Sequence, residues 1–229
     1  MEKNHMNVKL ISYSQTSEEL KNALQYSPNA QDLVAYCARV SNPSNQSNSE
    51  TSERLIKYLV KHKHWSPLEM VSACLEIETT RDIARQLLRH RSFSFQEFSQ
   101  RYADPTKDLD FVYREARLQD TANRQNSIET DDRELKKIWL EKQQNVIRAA
   151  KDAYQWAVNN NIAKEQARVV LPEGLTVSRL YVNGTLRSWV HYIELRSDNG
   201  TQKEHIEVAK ACAEVISKVF PLMETFVET

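Results

Sequence analysis

Arg89-His90-Arg91-Ser92-Phe93-Ser94-Phe95-Gln96-Glu97-Phe98-Ser99-Gln100-Arg101-Tyr102 packs cations, hydroxyls, amides and aromatics more densely than any other stretch of the chain. Arg89, Arg91 and Arg101 carry planar guanidinium forks, each able to meet two phosphate oxygens at once, and no lysine interrupts them. Where such a segment is extended, alternate residues project to one side. Ser99 and Arg101 would then point the same way, a hydroxyl and a charged fork in reach of one phosphate. A solvated surface loop is the plain alternative for any arginine cluster, and the surrounding chain has to decide.

Upstream, Val71, Ala73, Leu75 and Ile77 alternate with Ser72, Cys74, Glu76 and Glu78, the period of a strand with one buried face. Thr79 or Thr80 can then cap a helix with Ile83 and Leu87 on one face, Arg85 and Arg89 on another, and Gln86 and His90 on a third. Like charges four apart cost an isolated helix ~0.2–0.5 kcal/mol, which an anion lying across them would offset. Before the strand, a helix from Thr51 carries Leu55, Ile56, Leu59 and Val60 into the corner His62-Lys63-His64-Trp65-Ser66-Pro67. There Pro67 is expected to push Ser66 out of helical geometry. His62 and His64 lack the cysteines or second histidine pair of the usual zinc sets, so no metal is expected. A His and a Trp at such a corner suit packing or stacking against something flat.

Further out, Val8 to Tyr13 reads as a strand, Ser17 as the start of a helix, and Gln31 to Val40 as a second helix before a polar loop over 41–49. Residues 115–132 read as a polar loop or peripheral insertion, and Glu134 to Val158 as a long helix whose Trp and Tyr serve packing. In the helical segment Ile162 to Leu171, Arg168 is a cation among Ala167, Val169, Val170 and Leu171, and needs a partner. Leu175 to Val182 is rich in β-branched and aromatic residues and predicts a strand, with Asn183-Gly184 as the turn after it. Thr185 then caps a helix with Leu186, Trp189, Val190 and Ile193 on its apolar stripe, Arg187 and His191 on another face, and Arg196 at its end. Glu204 to Phe220 is a last amphipathic helix. No repeat or Gly/Pro/Ser-rich linker divides the chain, so 1–229 is expected to be one domain.

Composition narrows the partners. With 31 Lys+Arg against 31 Asp+Glu there is no global field to draw in nucleic acid or a membrane, so anion binding has to be local and the ligand small. Only Gly174, Gly184 and Gly200 are present, too few and too scattered for a GxGxxG turn or a Walker A loop. Any nucleotide must be gripped by side chains and helix ends. Cys37, Cys74 and Cys212 are odd in number and far apart, which fits a reducing compartment. Met1 to Asn7 has no apolar leader core and no run reaches membrane-span length, so a cytoplasmic protein is expected, in the host cytoplasm if the source is viral or phage.

Arg89-His90-Arg91, seven residues, then Ser99, one residue and Arg101 resembles the RHR-x7-S-x-R signature of the flavin-dependent thymidylate synthases. Further blocks are similar to that family in order: Ala38-Arg39-Val40-Ser41-Asn42-Pro43, His64-Trp65-Ser66-Pro67-Leu68-Glu69, Gln86, Ala167-Arg168-Val169-Val170-Leu171-Pro172, and Leu186-Arg187-Ser188 through Leu195-Arg196. They are most like viral and phage members. The resemblance implies a mixed α/β fold with a central twisted sheet flanked by helices, assembled as a homotetramer with active sites between subunits. It implies reductive methylation of dUMP to dTMP, with 5,10-methylenetetrahydrofolate as carbon donor, NADPH as reductant and FAD as hydride carrier.

Carried across by the resemblance, Arg89, His90, Arg91, Ser66, Glu69, Arg187 and His191 would hold FAD, and Gln86, Gln96, Glu97, Ser99, Gln100, Arg101, Arg168 and Arg196 would line the dUMP site. His64 and Tyr102 resemble the family's aromatic positions near the flavin. Many members have Asn where His191 stands, and a His where this chain has Asn199-Gly200-Thr201. Arg196 against the pyrimidine would stabilise enolate charge and so strengthen C5 as a nucleophile. Ser99 has no histidine placed as its base and is better used as a donor, so no protein group is expected to bond covalently to dUMP. Two other readings compete: a single-stranded nucleic-acid module using the arginine and aromatic run, and a flavin-dependent methyltransferase acting on another pyrimidine.

Overall fold

The structure, a computed structural model, describes residues 6–198 and 200–226; Asn199 lies outside the described residues. The elements run β1 (Asn7–Tyr13), α1 (Glu18–Leu24), α2 (Ala30–Ala38), α3 (Ser52–Lys61), β2 (Ser72–Thr80), α4 (Arg81–Leu87), β3 (Ser94–Glu97), α5 (Pro105–Asp108), β4 (Arg117–Gln119) and β5 (Ser127–Glu129). There follow α6 (Arg133–Asn159), α7 (Lys164–Ala167), β6 (Val177–Thr185), α8 (Leu186–Ser197) and α9 (Lys203–Ser217). This is the expected mixed α/β architecture: a twisted antiparallel sheet in the order β1-β2-β6-β3, with α8 and α9 packed on it.

The centre of the sheet is the pairing of β2 with β6, in unbroken register from Ser72 opposite Thr185 to Thr80 opposite Val177. Period-2 alternation puts Ala73, Leu75 and Ile77, with Leu180, Val182 and Gly184, on the face that meets α8 and α9. Trp189 and Ile193 of α8 and Val208, Cys212 and Ile216 of α9 complete the core, all with no measurable exposure. The opposite face is polar: Lys9, Glu76 and Tyr181 bond across β1, β2 and β6, and Arg179 pairs with Glu78. Helix starts follow the sequence cues, since Ser17 Oγ accepts from Leu20 N at 3.2 Å and Thr185 Oγ1 from Ser188 N at 3.3 Å.

Three expectations need correction. Asn183-Gly184 is not a turn: both residues pair with β2, opposite Cys74 and Ala73, and β6 runs through them into α8. Gly184 is there because the Phe93 ring lies where a Cβ would stand. Ser66 is not expelled from helical geometry; it opens a 3-10 turn, Ser66–Glu69, in whose first positions Pro67 needs no N–H partner. In α6 the core stripe is Gln143, Ile147, Ala150, Tyr154 and Ala157, whereas Trp139 and Trp156 are 43% and 63% exposed. Leu135, Ile138, Trp139 and Val146 form a second apolar stripe that the described residues leave 38–49% exposed.

Residues 115–132 hold the antiparallel ribbon β4–β5, tied to α9 by Arg117 with Glu204 and by Lys203 with Glu115 and Glu129. The loop over 41–49 is tied down by Arg39, itself buried, whose guanidinium donates to Asn48 O and to Thr51 Oγ1.

A methyl group at position 184 would overlap the Phe93 ring. Gly184→Ala is expected to lower unfolding free energy by about 1–3 kcal/mol, and adding Phe93→Leu to recover part of it. Chemical denaturation of the single and double variants checks this.

Candidate active site

The predicted residues fall into three groups, each built by a different junction of the fold. The first stands where α4 ends, beneath the C-terminal turn of α8. Arg196 Nε donates to His90 Nε2 at 3.0 Å, and the His90 ring meets Tyr192 edge-on, with centroids 5.0 Å apart. Gln86 Nε2 donates to Gln202 Oε1 at 3.0 Å, and His205 lies between Gln86 Oε1 and the Tyr192 hydroxyl, each 3.2 Å away. Burial, reinforced by the Arg196 charge, holds His90 down to about 4, so at neutral pH its Nε2 is an acceptor and its Nδ1 carries the hydrogen.

The second group lies beyond β3. Phe98 N donates to Arg179 O at 2.8 Å, and the chain then turns instead of continuing extended: Ser99 O accepts from Tyr102 N and Ala103 N, both at 3.1 Å. The Ser99 hydroxyl accepts weakly from Arg101 N at 3.4 Å, so the turn rather than strand alternation brings hydroxyl and arginine together. Arg101 lies 3.6 Å from Glu165 of α7, Lys164 donates to Tyr102 O at 2.9 Å, and Arg168 Nε donates to Glu165 O at 3.3 Å. Arg168 is not set in an apolar interior as expected, since Val169 is 83% exposed and Val170 40%. Arg85 pairs with Glu173 and Arg81 with Glu97. Glu97 also accepts from Ser178 Oγ at 2.8 Å, so its carboxylate is held by the chain itself. Gln96 is exposed, opposite Tyr181. Gln100 is 4% exposed, and its Nε2 has no hydrogen-bond partner among the described residues.

The third group is the corner after α3. Trp65 meets His191 of α8 edge-on at 4.4 Å, and Arg187 pairs with Glu69. Tyr58, His62 and His64 form an exposed ring cluster with centroids 4.2–6.3 Å apart. Among the described residues no three His, Cys, Asp or Glu side chains gather as a metal would need. Arg89, Arg91, Ser66 and Tyr102 are exposed.

The structure thus joins Gln86, His90 and Arg196 in one network and Ser99, Arg101, Tyr102 and Arg168 around α7. Tyr192, Gln202 and His205, which complete the first network, had not been singled out from the sequence. His205 carries a readable signal: it sits in the apolar stripe with Val208, Ala209, Cys212 and Ile216, and a buried imidazole needs polar partners.

Arginines and amides are gathered at the ends of α4, β3 and α8 in a chain with only three glycines, a donor set suited to an enzyme for an anionic substrate. The profile of the family described as thymidylate synthase complementing protein matches residues 22–222. The chain belongs to this family, the flavin-dependent thymidylate synthases, and is a methyltransferase. It is 46% identical over 216 residues to a protein of Paramecium bursaria Chlorella virus 1 named "Probable flavin-dependent thymidylate synthase", covering 94% of this chain and 96% of the relative. It is also 46% identical to the flavin-dependent thymidylate synthase of Synechocystis, covering 86% and 88%. Among solved structures, the UMP/dUMP methylase PolB from Streptomyces cacaoi bound with 5-Br UMP superposes with a TM-score of 0.78 at 24% identity, over 96% of this chain and 92% of that one, a likeness of fold.

Because His90 folds with a pKa near 4 against about 6.5 unfolded, the unfolded chain binds more protons between those values. Stability is therefore expected to fall as pH drops from about 6.5 towards 4. His90→Gln removes that contribution, so the difference in Tm between wild type and variant should narrow as the pH is lowered from 7 to 4.5. A constant difference across thermal melts in that range would contradict it.

Proposed function

We propose that the chain carries out the reductive methylation of dUMP to dTMP with 5,10-methylenetetrahydrofolate as carbon donor, NADPH as reductant and FAD as carrier of the hydride. The observation that carries the nucleotide reading is the turn after β3, which brings the Ser99 hydroxyl to Arg101 N and sets both beside α7 and Arg168. The phosphate of dUMP suits that turn, with the Ser99 hydroxyl and the Arg101 and Arg168 guanidiniums around it and Gln100 lining it from beneath. Glu97 contributes by holding Arg81 and Ser178 in place. Gln86, Gln96 and Arg196 complete the substrate set. Arg196, steadied through its Nε by His90, offers its terminal N–H groups to the pyrimidine oxygens, where they would stabilise the enolate charge that makes C5 nucleophilic.

The donor set around His90 and at the corner after α3 suits a flavin dinucleotide. Arg89 and Arg91 are exposed cations for a pyrophosphate, His90 retains an Nδ1–H, and Ser66, Glu69, Arg187 and His191 frame the corner where Trp65 presents a flat surface. When bound, FAD passes the hydride between NADPH and the one-carbon unit. His64 and Tyr102, both exposed, are suited to stack against the flavin or the folate.

We further propose, as the family resemblance implies, self-association as a homotetramer with active sites between subunits. The half-exposed α6 stripe of Leu135, Ile138, Trp139 and Val146, with Leu118 beside it, suits a partner surface. The exposure of Arg89, Arg91 and Tyr102 fits a site finished by another copy. We read 1–229 as one catalytic domain, with 115–132 peripheral, working in the cytoplasm. Among the described residues no helix is long and apolar enough to cross a membrane.

Purified protein is expected to be yellow, to bleach with NADPH, and to form dTMP from dUMP only with methylenetetrahydrofolate present. A colourless protein that takes up no FAD and binds RNA with a steep salt dependence would overturn the reading. Arg196→Ala should lower turnover by about 10²–10³-fold or more with FAD still bound. Ser99→Ala should weaken dUMP about tenfold while retaining turnover; its complete inactivity with dUMP bound normally would assign Ser99 another role.

A further inference from the structure

A chain of hydrogen bonds runs from the β4–β5 ribbon to Gln86, and its direction is forced at every link. Arg114 and Arg117 can only donate. Arg117 Nη2 reaches Glu204 Oε1 at 2.6 Å and Arg114 Nη1 reaches Oε2 at 3.1 Å. Burial would raise the Glu204 carboxyl, but these two arginines outweigh it and hold the group below its ordinary range. An ionised Glu204 only accepts, so Gln202 must turn its Nε2 towards Oε2, 2.9 Å away. That leaves Gln202 Oε1 to accept from Gln86 Nε2 at 3.0 Å, and therefore turns Gln86 Oε1 towards His205 Nδ1 at 3.2 Å. His205 Nδ1 must then carry the hydrogen, and its Nε2 accepts from the Tyr192 hydroxyl at 3.2 Å. Reversing any one amide would set donor against donor or acceptor against acceptor.

His205 has no measurable exposure, and burial, with Arg196 and His90 beside it, keeps its pKa down to about 3. It stays neutral, as the chain of bonds requires. Tyr192 also packs edge-on against His90, which receives the Arg196 hydrogen, so the same assembly braces both Gln86 and Arg196.

We propose that Glu204, Gln202 and His205 are positioning residues for nucleotide binding, locking the Gln86 carboxamide so that its second Nε2–H is left to donate to an acceptor oxygen of the nucleotide. This rests on the reading above that Gln86 lines the dUMP site. Glu204 supplies the polarity, Gln202 transmits it, and His205 closes the lock on the far side of the amide. The ribbon over 115–132 thereby acquires a link to the site through Arg117, although it lies outside it.

The test is a double-mutant cycle read as dUMP dissociation constants of the flavin-loaded enzyme, with His205 tautomer followed by nitrogen-15 NMR of histidine-labelled protein. His205→Phe is expected to weaken dUMP about tenfold. His205→Gln, whose amide can donate to Gln86 and accept from Tyr192, should recover most of that. In the Gln86→Ala background His205→Phe should change the constant less than twofold, because the effect travels through Gln86. His205 should show the Nδ1–H tautomer from pH 5 to 8. Full additivity of the two substitutions, or an Nε2–H tautomer, would overturn the lock. Wild type that binds dUMP no more tightly than Gln86→Ala would overturn the role of Gln86, and with it the proposal, while leaving the enzyme reading standing. Wild type that holds flavin and shows the expected tautomer yet binds no dUMP would overturn the nucleotide reading and the proposal with it.

Discussion

The pairing of β2 with β6 is the constraint on which the rest of the structure depends. Because side chains alternate, a slip of one residue would exchange the apolar face of Ala73, Leu75, Ile77, Leu180 and Val182 for the charged face of Glu76, Glu78, Arg179 and Tyr181. Both strands also run straight into helices, β2 into α4 and β6 into α8. The register therefore decides where His90, just past α4, meets Arg196, in the last turn of α8. Gly184, with Phe93 lying over it, carries β6 to the turn into α8 without displacing the ring that packs on Trp189 at 4.5 Å.

Much of this was legible in the sequence, for identifiable reasons. Period 2 in 71–78 and the apolar stripe at Leu186, Trp189, Val190 and Ile193 are strong local signals, and β2 and α8 lie where those signals placed them. Asn183-Gly184 misled because the dipeptide has the same chemistry in a turn as at a close approach of a ring, and only Phe93, far away in sequence, distinguishes them. Trp139 and Trp156 misled because periodicity identifies an apolar face without saying whether the chain itself covers it. At the site, the arginines and the Ser99–Arg101 spacing could be read directly, whereas the way they are held could not. Arg81 with Glu97, Arg101 with Glu165, and His205 with Gln86 are all contacts between segments distant in sequence.

The site is divided by design of the fold. The α4–α8 junction is partly buried and its side chains are held by mutual hydrogen bonds, a setting in which lowered dielectric strengthens each oriented dipole and leaves little reorganisation for the ligand to impose. The turn after β3 and the corner after α3 are open, with cations and rings at the surface. A rigid base beside an open rim suits an enzyme that has to hold a pyrimidine still while larger partners arrive and leave.

Methylation at C5 of a uracil ring must remove the hydrogen already there, so the central claim has a direct readout. Enzyme given dUMP tritiated at C5 is predicted to release tritium to water in equal measure with dTMP, and to do so only with both NADPH and methylenetetrahydrofolate present. NADPH oxidation with the tritium retained on the nucleotide would contradict the account.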